Sequence, residues 1–339
     1  MNRQVMRRAA ALGLLAGLAV SCAAAQETCS ATVAQLHEAC LDQTEADHGV
    51  ARAICLNLRS AAARRDCRED ASKANDRAKG LCVAQRDWRK ASCAVVGEQR
   101  YDPKVDPKRF DTDYHHLSHP NPYFPLEIGK RWEYSGGDEL NTIEVVDETK
   151  LIEGVTAIVL RDLVYVKERL HEATDDWFAA AKDGTSWYLG EEVKNYESFK
   201  GDVPRRSELV NVSGSVKHGR NGDKGGVIMP AAPAVGQVYR EEFSLANAED
   251  VAEVLSITYA YGAGGALDEF VPAALAHRLC ADGDCVVTKN YSLLEPGVVA
   301  RKYYARDIGL FLETVVGVGI GVQLTGCNFD PRCDSLPPR

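Results

Sequence analysis

Six cysteines between residues 29 and 93 constrain the fold of this chain more than any other feature of its sequence. They stand at positions 29, 40, 55, 67, 82 and 93, and the gaps between them are nearly palindromic, with 10, 14, 11, 14 and 10 residues. No gap has the CxxC spacing that is typical of metal and redox sites. Val33 and Leu36 share one helical face with Cys29 and Cys40. The spacing therefore predicts a helical module over residues 26–97, cross-linked by disulfide bonds.

The apolar periodicity predicts three helices in this module, with breaks at His48-Gly49 and near Asn75 or Gly80. Each helix has few large apolar residues, so the module needs cross-links in order to fold. Cysteines 11 or 12 residues apart on one helix are too distant to bond, which requires bridges between helices. The expected bridges close the two turns and join the module's ends: Cys40–Cys55, Cys67–Cys82 and Cys29–Cys93. The alternative is a doubly bridged hairpin with the pairs Cys29–Cys67 and Cys40–Cys55.

Residues 1–25 have the pattern of a signal peptide. Three arginines precede an apolar run over residues 9–20, and Ala23 to Ala25 form a small-residue cleavage site. The apolar run is too short to span a bilayer. We expect cleavage after Ala25, with lipid attachment at Cys22 as the alternative, because the sequence LAVSC loosely resembles a lipobox. Ten further cysteines in an exported chain predict five disulfides and a periplasmic or extracellular location.

Charge is distributed unevenly along the chain, whose formal net charge is −9. Residues 26–100 contain 12 basic and 11 acidic residues, whereas the chain from residue 101 onward contains 25 basic and 38 acidic residues. Binding to a phosphate backbone requires clustered Lys and Arg, so we expect no nucleic-acid partner. We also expect no transmembrane helix in the mature chain and no cofactor. The expected partner is an unidentified small molecule or a component of the cell envelope.

Residues 98–120 are predicted to be a linker, because Asp-Pro and His-Pro dipeptides favour turns and extended backbone. His115, His116 and His119 lie here at i, i+3 and i, i+4 spacing. On one helical turn they could bind a first-row transition metal through imidazole nitrogens. Pro120 and Pro122 disfavour such a helix, so solvated histidines are the competing interpretation.

Residues 121–326 are predicted to form an antiparallel β domain that begins at Asn121 to Tyr134, with the sequence NPYFPLEIGKRWEY. Trp132 and Tyr134 should share one face of the first strand. Strand patterns then follow one another between turn signals, apart from a glycine-rich loop at 200–226. Such a meander must curl into a sandwich, barrel or half-barrel, so the predicted fold class is α+β. Two local disulfides are expected, one across a hairpin and one in the tail at 327–339: Cys280–Cys285 and Cys327–Cys333.

Two stretches of the β domain carry a resemblance. NPYFPLEIGKRWEY and EPGVVARKYYARDIGLFLE, which spans Glu295 to Glu313, are similar to a recurrent pattern in largely uncharacterised exported bacterial proteins. Those proteins begin a β domain with "YFPL…G…W.Y" and end it with "KYYA…GLV.E". Asp307-Ile308 stands where that pattern has a proline-glycine turn. Some relatives resemble the half-barrels of periplasmic lipoprotein and lipid carriers, which implies a curved antiparallel sheet with a concave face.

No complete catalytic motif is present, and three functions stay open. The first is a non-enzymatic exported binding or envelope protein that takes an apolar or carbohydrate ligand. Its candidate contacts are aromatic: Trp177, Trp187, Tyr188 and Tyr261. The second is an exported hydrolase with an unrecognised carboxylate site, and the third is a metal-binding protein that uses the linker histidines. A dry interior would favour a scaffold, whereas a polar cleft with converging carboxylates would favour an enzyme.

Overall fold

The computed structural model describes residues 27–336. The predicted signal peptide, its cleavage after Ala25 and lipid attachment at Cys22 lie outside the described residues. Two long helices form an antiparallel hairpin, and a large, nearly barrel-shaped antiparallel sheet follows. The predicted α+β class, with a disulfide-linked helical part before an antiparallel β part, is confirmed.

The hairpin consists of α1 (Thr28–Leu56) and α2 (Ala61–Val96). Ser60 caps the start of α2, where its side chain accepts a hydrogen bond from the N–H of Ala63 at 3.0 Å. The prediction of three helices is wrong, because Gly49 and Gly80 both lie inside helices. A glycine in a helix costs only about 1 kcal/mol relative to alanine, and the disulfides of the hairpin offset that cost.

The disulfides of the hairpin are nested, with Cα atoms 5.6 to 5.8 Å apart: Cys29–Cys93, Cys40–Cys82 and Cys55–Cys67. The prediction of Cys29–Cys93 is confirmed, and the predictions of Cys40–Cys55 and Cys67–Cys82 are wrong. The alternative pair Cys29–Cys67 is wrong as well. With only one turn, the centre of the palindrome lies at the hairpin turn, so each cysteine faces its mirror image. The local bridges Cys280–Cys285 and Cys327–Cys333 are confirmed.

The sheet is built from fifteen strands, and one short helix, α3 (Ala273–Leu279), precedes the twelfth strand. The strands are β1 (Arg131–Gly136), β2 (Glu139–Ile152), β3 (Val155–Val166), β4 (Arg169–Ala180), β5 (Ser186–Glu197), β6 (Glu208–Asn211), β7 (Val216–Lys217), β8 (Lys224–Met229), β9 (Val238–Arg240), β10 (Glu242–Phe243), β11 (Asp250–Tyr259), β12 (Cys285–Ser292), β13 (Ala300–Ala305), β14 (Gly309–Val315) and β15 (Gly319–Cys327). The segment predicted to be a loop at 200–226 therefore contains β6, β7 and the start of β8.

The strand order is β10-β8-β5-β4-β3-β2-β1-β15-β14-β13-β12-β11-β9, with β6 and β7 also paired to β5. Strands β1 to β5 and strands β11 to β15 pair with their neighbours in sequence and form two meanders, which meet where β1 pairs with β15. Glu241 alone separates β9 from β10, although these two strands stand at opposite ends of the order. The sheet therefore curves until its two ends adjoin. Trp132 and Tyr134 share one face of β1, as predicted; this face points into the interior, and each side chain is 5 % exposed.

Residues 98–120 are packed against the sheet. Phe110 is buried in an apolar cluster on the outer face of β3 to β5, and its backbone bridges to Ala181. The hydroxyl of Tyr114 donates to the carbonyl of Thr156 at 3.0 Å. The hairpin also docks on the sheet, through a buried ion pair between Arg89 of α2 and a carboxylate before β11.

Candidate functional site

Residues 121–126 lie across one end of the curved sheet and are fixed there by hydrogen bonds and ring packing. Asn121 is buried, and its side-chain amide donates to the carbonyl of Gly184 at 2.8 Å. Phe124 packs against Phe178 of β4, with ring centroids 4.9 Å apart. Two prolines restrict the backbone of this segment, so the ring of Phe124 has a fixed position.

A cavity of about 210 Å³, here called the inner cavity, lies between this segment and the sheet. Most of its wall is apolar and includes Phe124, Trp132, Leu160, Phe178, Ile228 and Leu310. Its polar wall includes Asp162, Asp176 and Lys302. An apolar cavity with a small number of polar groups is the usual form of a small-molecule site.

Two aromatic side chains of β1 contribute apolar surface to the inner cavity, because their polar atoms are bonded elsewhere. Trp132 Nε1 donates to the carbonyl of Ile308 at 2.7 Å, and the hydroxyl of Tyr134 donates to the carbonyl of Leu310 at 2.9 Å. These bonds connect β1 to the turn before β14 and to the start of β14. The rings are therefore left as flat apolar contacts, with no donor that a ligand must satisfy.

Asp162 on β3 has one carboxyl oxygen that lacks a hydrogen-bond partner among the described residues. Its Oδ2 accepts a hydrogen bond from Asn141 Nδ2 at 3.3 Å, while Oδ1 is buried and has no hydrogen-bond partner within residues 27–336. Burial raises the pKa of Asp162 to about 7, and the charges of Glu172 and Glu139 add to the rise. A ligand that donates to Oδ1 would remove this unsatisfied acceptor.

Asp176 on β4 and Glu191 on β5 are linked through Tyr188, whose hydroxyl donates to Asp176 Oδ1 at 2.9 Å. Burial raises the pKa of Asp176 well above its ordinary value, and the charges of Glu191 and Asp162 add to the rise. Burial also raises the pKa of Glu191, to about 7. Asp162, Asp176 and Glu191 therefore form an inner acidic group on three neighbouring strands, and two of its members exchange protons near neutral pH.

Lys302 on β13 is charged and is balanced by acids outside the inner acidic group. Burial opposes the charge of its ammonium, but the neighbouring Glu241, followed by Tyr304 and Glu313, outweighs burial and raises the pKa of Lys302. Burial raises the pKa of Glu241 as well, and its carboxylate accepts a hydrogen bond from an asparagine amide at 2.9 Å. In the inner acidic group, by contrast, burial is the largest cause of the shift in pKa of all three carboxyl groups.

The four aromatic residues predicted to contact a ligand are not brought together. Trp177 and Trp187 lie on the outer face of the sheet, in the cluster that Phe110 covers. Tyr188 lies inside, bonded to Asp176, and Tyr261 packs against the ring of a histidine on α3 with centroids 5.3 Å apart. Successive side chains of a strand point to opposite faces, so Trp187 and Tyr188 cannot contribute to one site on the same face.

The three histidines predicted as metal ligands make separate contacts. Residues 112–119 form turns and bends in place of the helical turn that the ligand hypothesis required. Each ring has a different partner: His115 with Asp147 at 3.7 Å, His116 with Asp113 at 2.9 Å, and His119 with the carbonyl of Lys182 at 2.7 Å. Across residues 27–336, no three His, Cys, Asp or Glu side chains are placed to hold a metal ion.

The carboxyl groups of the inner cavity were not identified from the sequence, although a signal for them exists. Asp162 follows Ile158 and Leu160 at period two on β3, so it shares their inward face. Asp176 precedes Phe178 at the same spacing on β4. A carboxyl group in line with buried apolar residues is the pattern that indicates an interior acid.

Comparison of the chain with protein-family models, with curated proteins and with solved structures found no match in any of the three. None of the helices within residues 27–336 has both the length and the apolar composition that crossing a membrane requires.

Proposed function

We propose that this protein is a non-enzymatic exported binding protein that holds a small amphipathic molecule in the inner cavity. The observation that carries this proposal is the wall of the cavity, which is apolar apart from a few acidic and basic side chains. Its volume of about 210 Å³ is below the range of roughly 300–1,000 Å³ that is usual for drug-sized ligands. The ligand is therefore small.

The chemistry of the wall defines the ligand. Phe124, Phe178 and Ile228 would contact its apolar body, and burying that body supplies most of the affinity. Its polar end would donate a hydrogen bond to the free Oδ1 of Asp162, so it carries an amine or a hydroxyl group. An amine would also lower the raised pKa values of the inner acidic group, because a positive charge favours the ionised carboxylate.

Export is part of the proposal. Residues 27–336 contain five disulfides, and disulfides are typical of periplasmic and extracellular proteins. The proposed signal peptide would be removed after Ala25. The intact mass of the protein recovered from the expressing cell tests this, and a diacylglyceryl group on Cys22 would contradict it.

The binding proposal is tested by identifying what the protein carries after purification. The wild-type protein, the variant Ile228→Phe and the control Ile257→Phe would be purified identically, denatured and analysed for released small molecules by mass spectrometry. Ile228 lines the inner cavity, whereas Ile257 is 38 % exposed on β11. We expect one ligand in the wild type and in Ile257→Phe, and its loss from Ile228→Phe, because the larger ring fills the cavity. Equal amounts in all three, or none in the wild type, would contradict the proposal.

A second candidate function is hydrolysis, and the inner acidic group favours it. Asp162 and Glu191 both have a pKa of about 7, which suits a general acid or base at neutral pH. Incubation with chromogenic ester and glycoside substrates would test this function. Turnover by the wild type that is lost in both Asp162→Asn and Glu191→Gln would favour the hydrolase over the binding protein.

A further inference from the structure

A second cavity, of about 140 Å³, lies where the hairpin meets the sheet. It is here called the junction cavity. Its wall combines the N-terminal part of α1, the C-terminal part of α2, and residues of β9 and β10. It includes the side chains of Arg89, Arg100, Arg240 and Glu249. None of these four residues lines the inner cavity.

Arg240 on β9 is a buried cation in the wall of the junction cavity. It is 7 % exposed, and its Cζ lies 4.9 Å from the ring centroid of Phe243 and 5.5 Å from that of Tyr101. These rings stabilise its charge but accept no strong hydrogen bond. Its Nη1 is buried and has no hydrogen-bond partner in the described part of the chain. Leaving a buried donor of a charged group without an acceptor is costly. A ligand that supplied an acceptor to Nη1 would remove that cost.

The nearby carboxylate does not provide that acceptor. Glu249 accepts two hydrogen bonds from Arg89, at 2.9 and 2.7 Å, and a third from the N–H of Ala246 at 2.7 Å. The side chains of Arg89 and Glu249 are only 5 % and 2 % exposed, so this ion pair is complete and shielded from water. Of the three arginines in the wall, Arg89 is bonded to Glu249 and Arg100 is paired with Asp102 at 3.1 Å, so Arg240 is the one whose buried donor lacks an acceptor within residues 27–336.

We propose that the junction cavity binds a small organic carboxylate, whose carboxylate group hydrogen-bonds to Arg240 and whose alkyl part packs on the apolar wall. The planar guanidinium matches the geometry of a carboxylate, and such charge-assisted bonds are the strong ones. Val33, Leu36, Leu245 and Leu293 provide the apolar part of the wall. Inorganic phosphate would lose its hydration there and leave the apolar wall without a partner.

The test uses the full chain with its disulfides intact and butyrate as the probe. Affinity would be measured by titration calorimetry for the wild type, Arg240→Met and Arg100→Met. Methionine keeps an apolar stem against the two rings but removes every donor. Because one charge-assisted hydrogen bond is lost, we expect Arg240→Met to weaken butyrate binding about tenfold or more. The side chain of Arg100 is 76 % exposed, so Arg100→Met should change the affinity by less than about twofold.

Two further measurements complete the test. 1-Butanol, the neutral analogue, and inorganic phosphate should both bind the wild type more weakly than butyrate does. If Arg240→Met fails to fold, Leu36→Trp keeps Arg240 in place but fills the cavity, and it should abolish butyrate binding. The proposal is overturned if butyrate does not bind the wild type, if Arg240→Met or Leu36→Trp binds it as tightly, or if phosphate binds more tightly.

Discussion

Large apolar side chains are mostly exposed in the helical hairpin and mostly buried in the sheet. Val50, Ile54 and Leu56 of α1 are each more than half exposed. Phe311 and Leu312 of β14 are fully buried, packed among the apolar side chains of the sheet's interior. The burial that stabilises the sheet is therefore almost missing from the hairpin.

The hairpin compensates for this with covalent and ionic contacts. Three nested disulfides join its helices along their length, and the buried pair of Arg89 and Glu249 attaches α2 to the sheet. Trp88 adds a hydrogen bond from its indole N–H to the carbonyl of Ser292 at 3.1 Å. The stability of the hairpin thus depends on a few specific bonds, whereas that of the sheet is distributed over many apolar contacts. A single substitution at one of these bonds should therefore destabilise the hairpin more than it destabilises the sheet.

The variant Glu249→Gln should have the largest effect, because it leaves the buried guanidinium of Arg89 without its carboxylate partner. Removing one partner of a buried ion pair costs about 3–5 kcal/mol. We expect urea unfolding to separate into two steps, with the helical signal at 222 nm lost before the fluorescence of the sheet changes. The matched control is Glu253→Gln, whose pair with Lys289 is about one-third exposed and should cost less than about 1 kcal/mol. A single transition, displaced no further than in the control, would contradict this.

Removal of the central disulfide in Cys40→Ala/Cys82→Ala should have the next largest effect. The bond joins residues 42 apart, and losing such a bond typically costs about 2–4 kcal/mol. Amide hydrogen exchange should rise in α1 and α2 and stay unchanged in β12 to β14. In the control Cys280→Ala/Cys285→Ala the separation is 5, so the entropic loss is smaller and the hairpin should be unaffected. Equal exchange in both regions would show that the sheet depends on the hairpin's cross-links.

Acidification should affect the two regions in opposite directions. Burial raises the pKa of Asp162 to about 7, so the folded sheet binds a proton that the unfolded chain releases near pH 4. The resulting contribution of Asp162 to the free energy of unfolding is complete below pH 4 and is lost as the pH rises through 7. In the hairpin, hydrogen bonds from Lys79 and from Ser30 hold the pKa values of Glu45 and Glu98 below their ordinary range, so their contribution is lost as the pH falls.

The variant Asp162→Asn isolates the contribution of the sheet. It removes the ionisation, so its stability relative to the wild type should increase between pH 4 and 7, by about 3 kcal/mol. Each kcal/mol corresponds to roughly 2–4 °C in the melting temperature of a domain of this size. A difference between the two proteins that stays constant from pH 4 to 7 would contradict the raised pKa.

The strands were predictable because the face of a strand side chain depends only on whether its position is odd or even. That Trp132 and Tyr134 share one face of β1 needed no other information. The bounds of the helices were not predictable in this way. Gly49 and Gly80 have a low intrinsic preference for helix, and the disulfides between α1 and α2 override it. The palindromic spacing of the cysteines is the sequence feature that indicates a two-helix hairpin. A single turn at its centre pairs every cysteine with its mirror image, and the assumption of three helices concealed this.

The candidate site was less predictable than the fold, since it depends on pairings between distant strands. Asp162, Asp176 and Glu191 approach one another because β3, β4 and β5 pair in a particular register. A shift of that register by one residue would turn a side chain to the other face, and local patterns do not report such shifts. The aromatic candidates failed to meet for the same reason. Trp187 and Tyr188 are adjacent in sequence and lie on opposite faces.

The pairing of β1 with β15 has a consequence for how fast this protein folds. Every other pair of neighbouring strands in the order belongs to one meander, so its partners are close in sequence. Trp132 and Cys327 face each other from the two ends of the β region. Closing so long a loop costs entropy before any contact compensates for it, and contacts between distant residues slow folding. We expect each meander to form early and their joining at this seam to be the late step that completes the inner cavity.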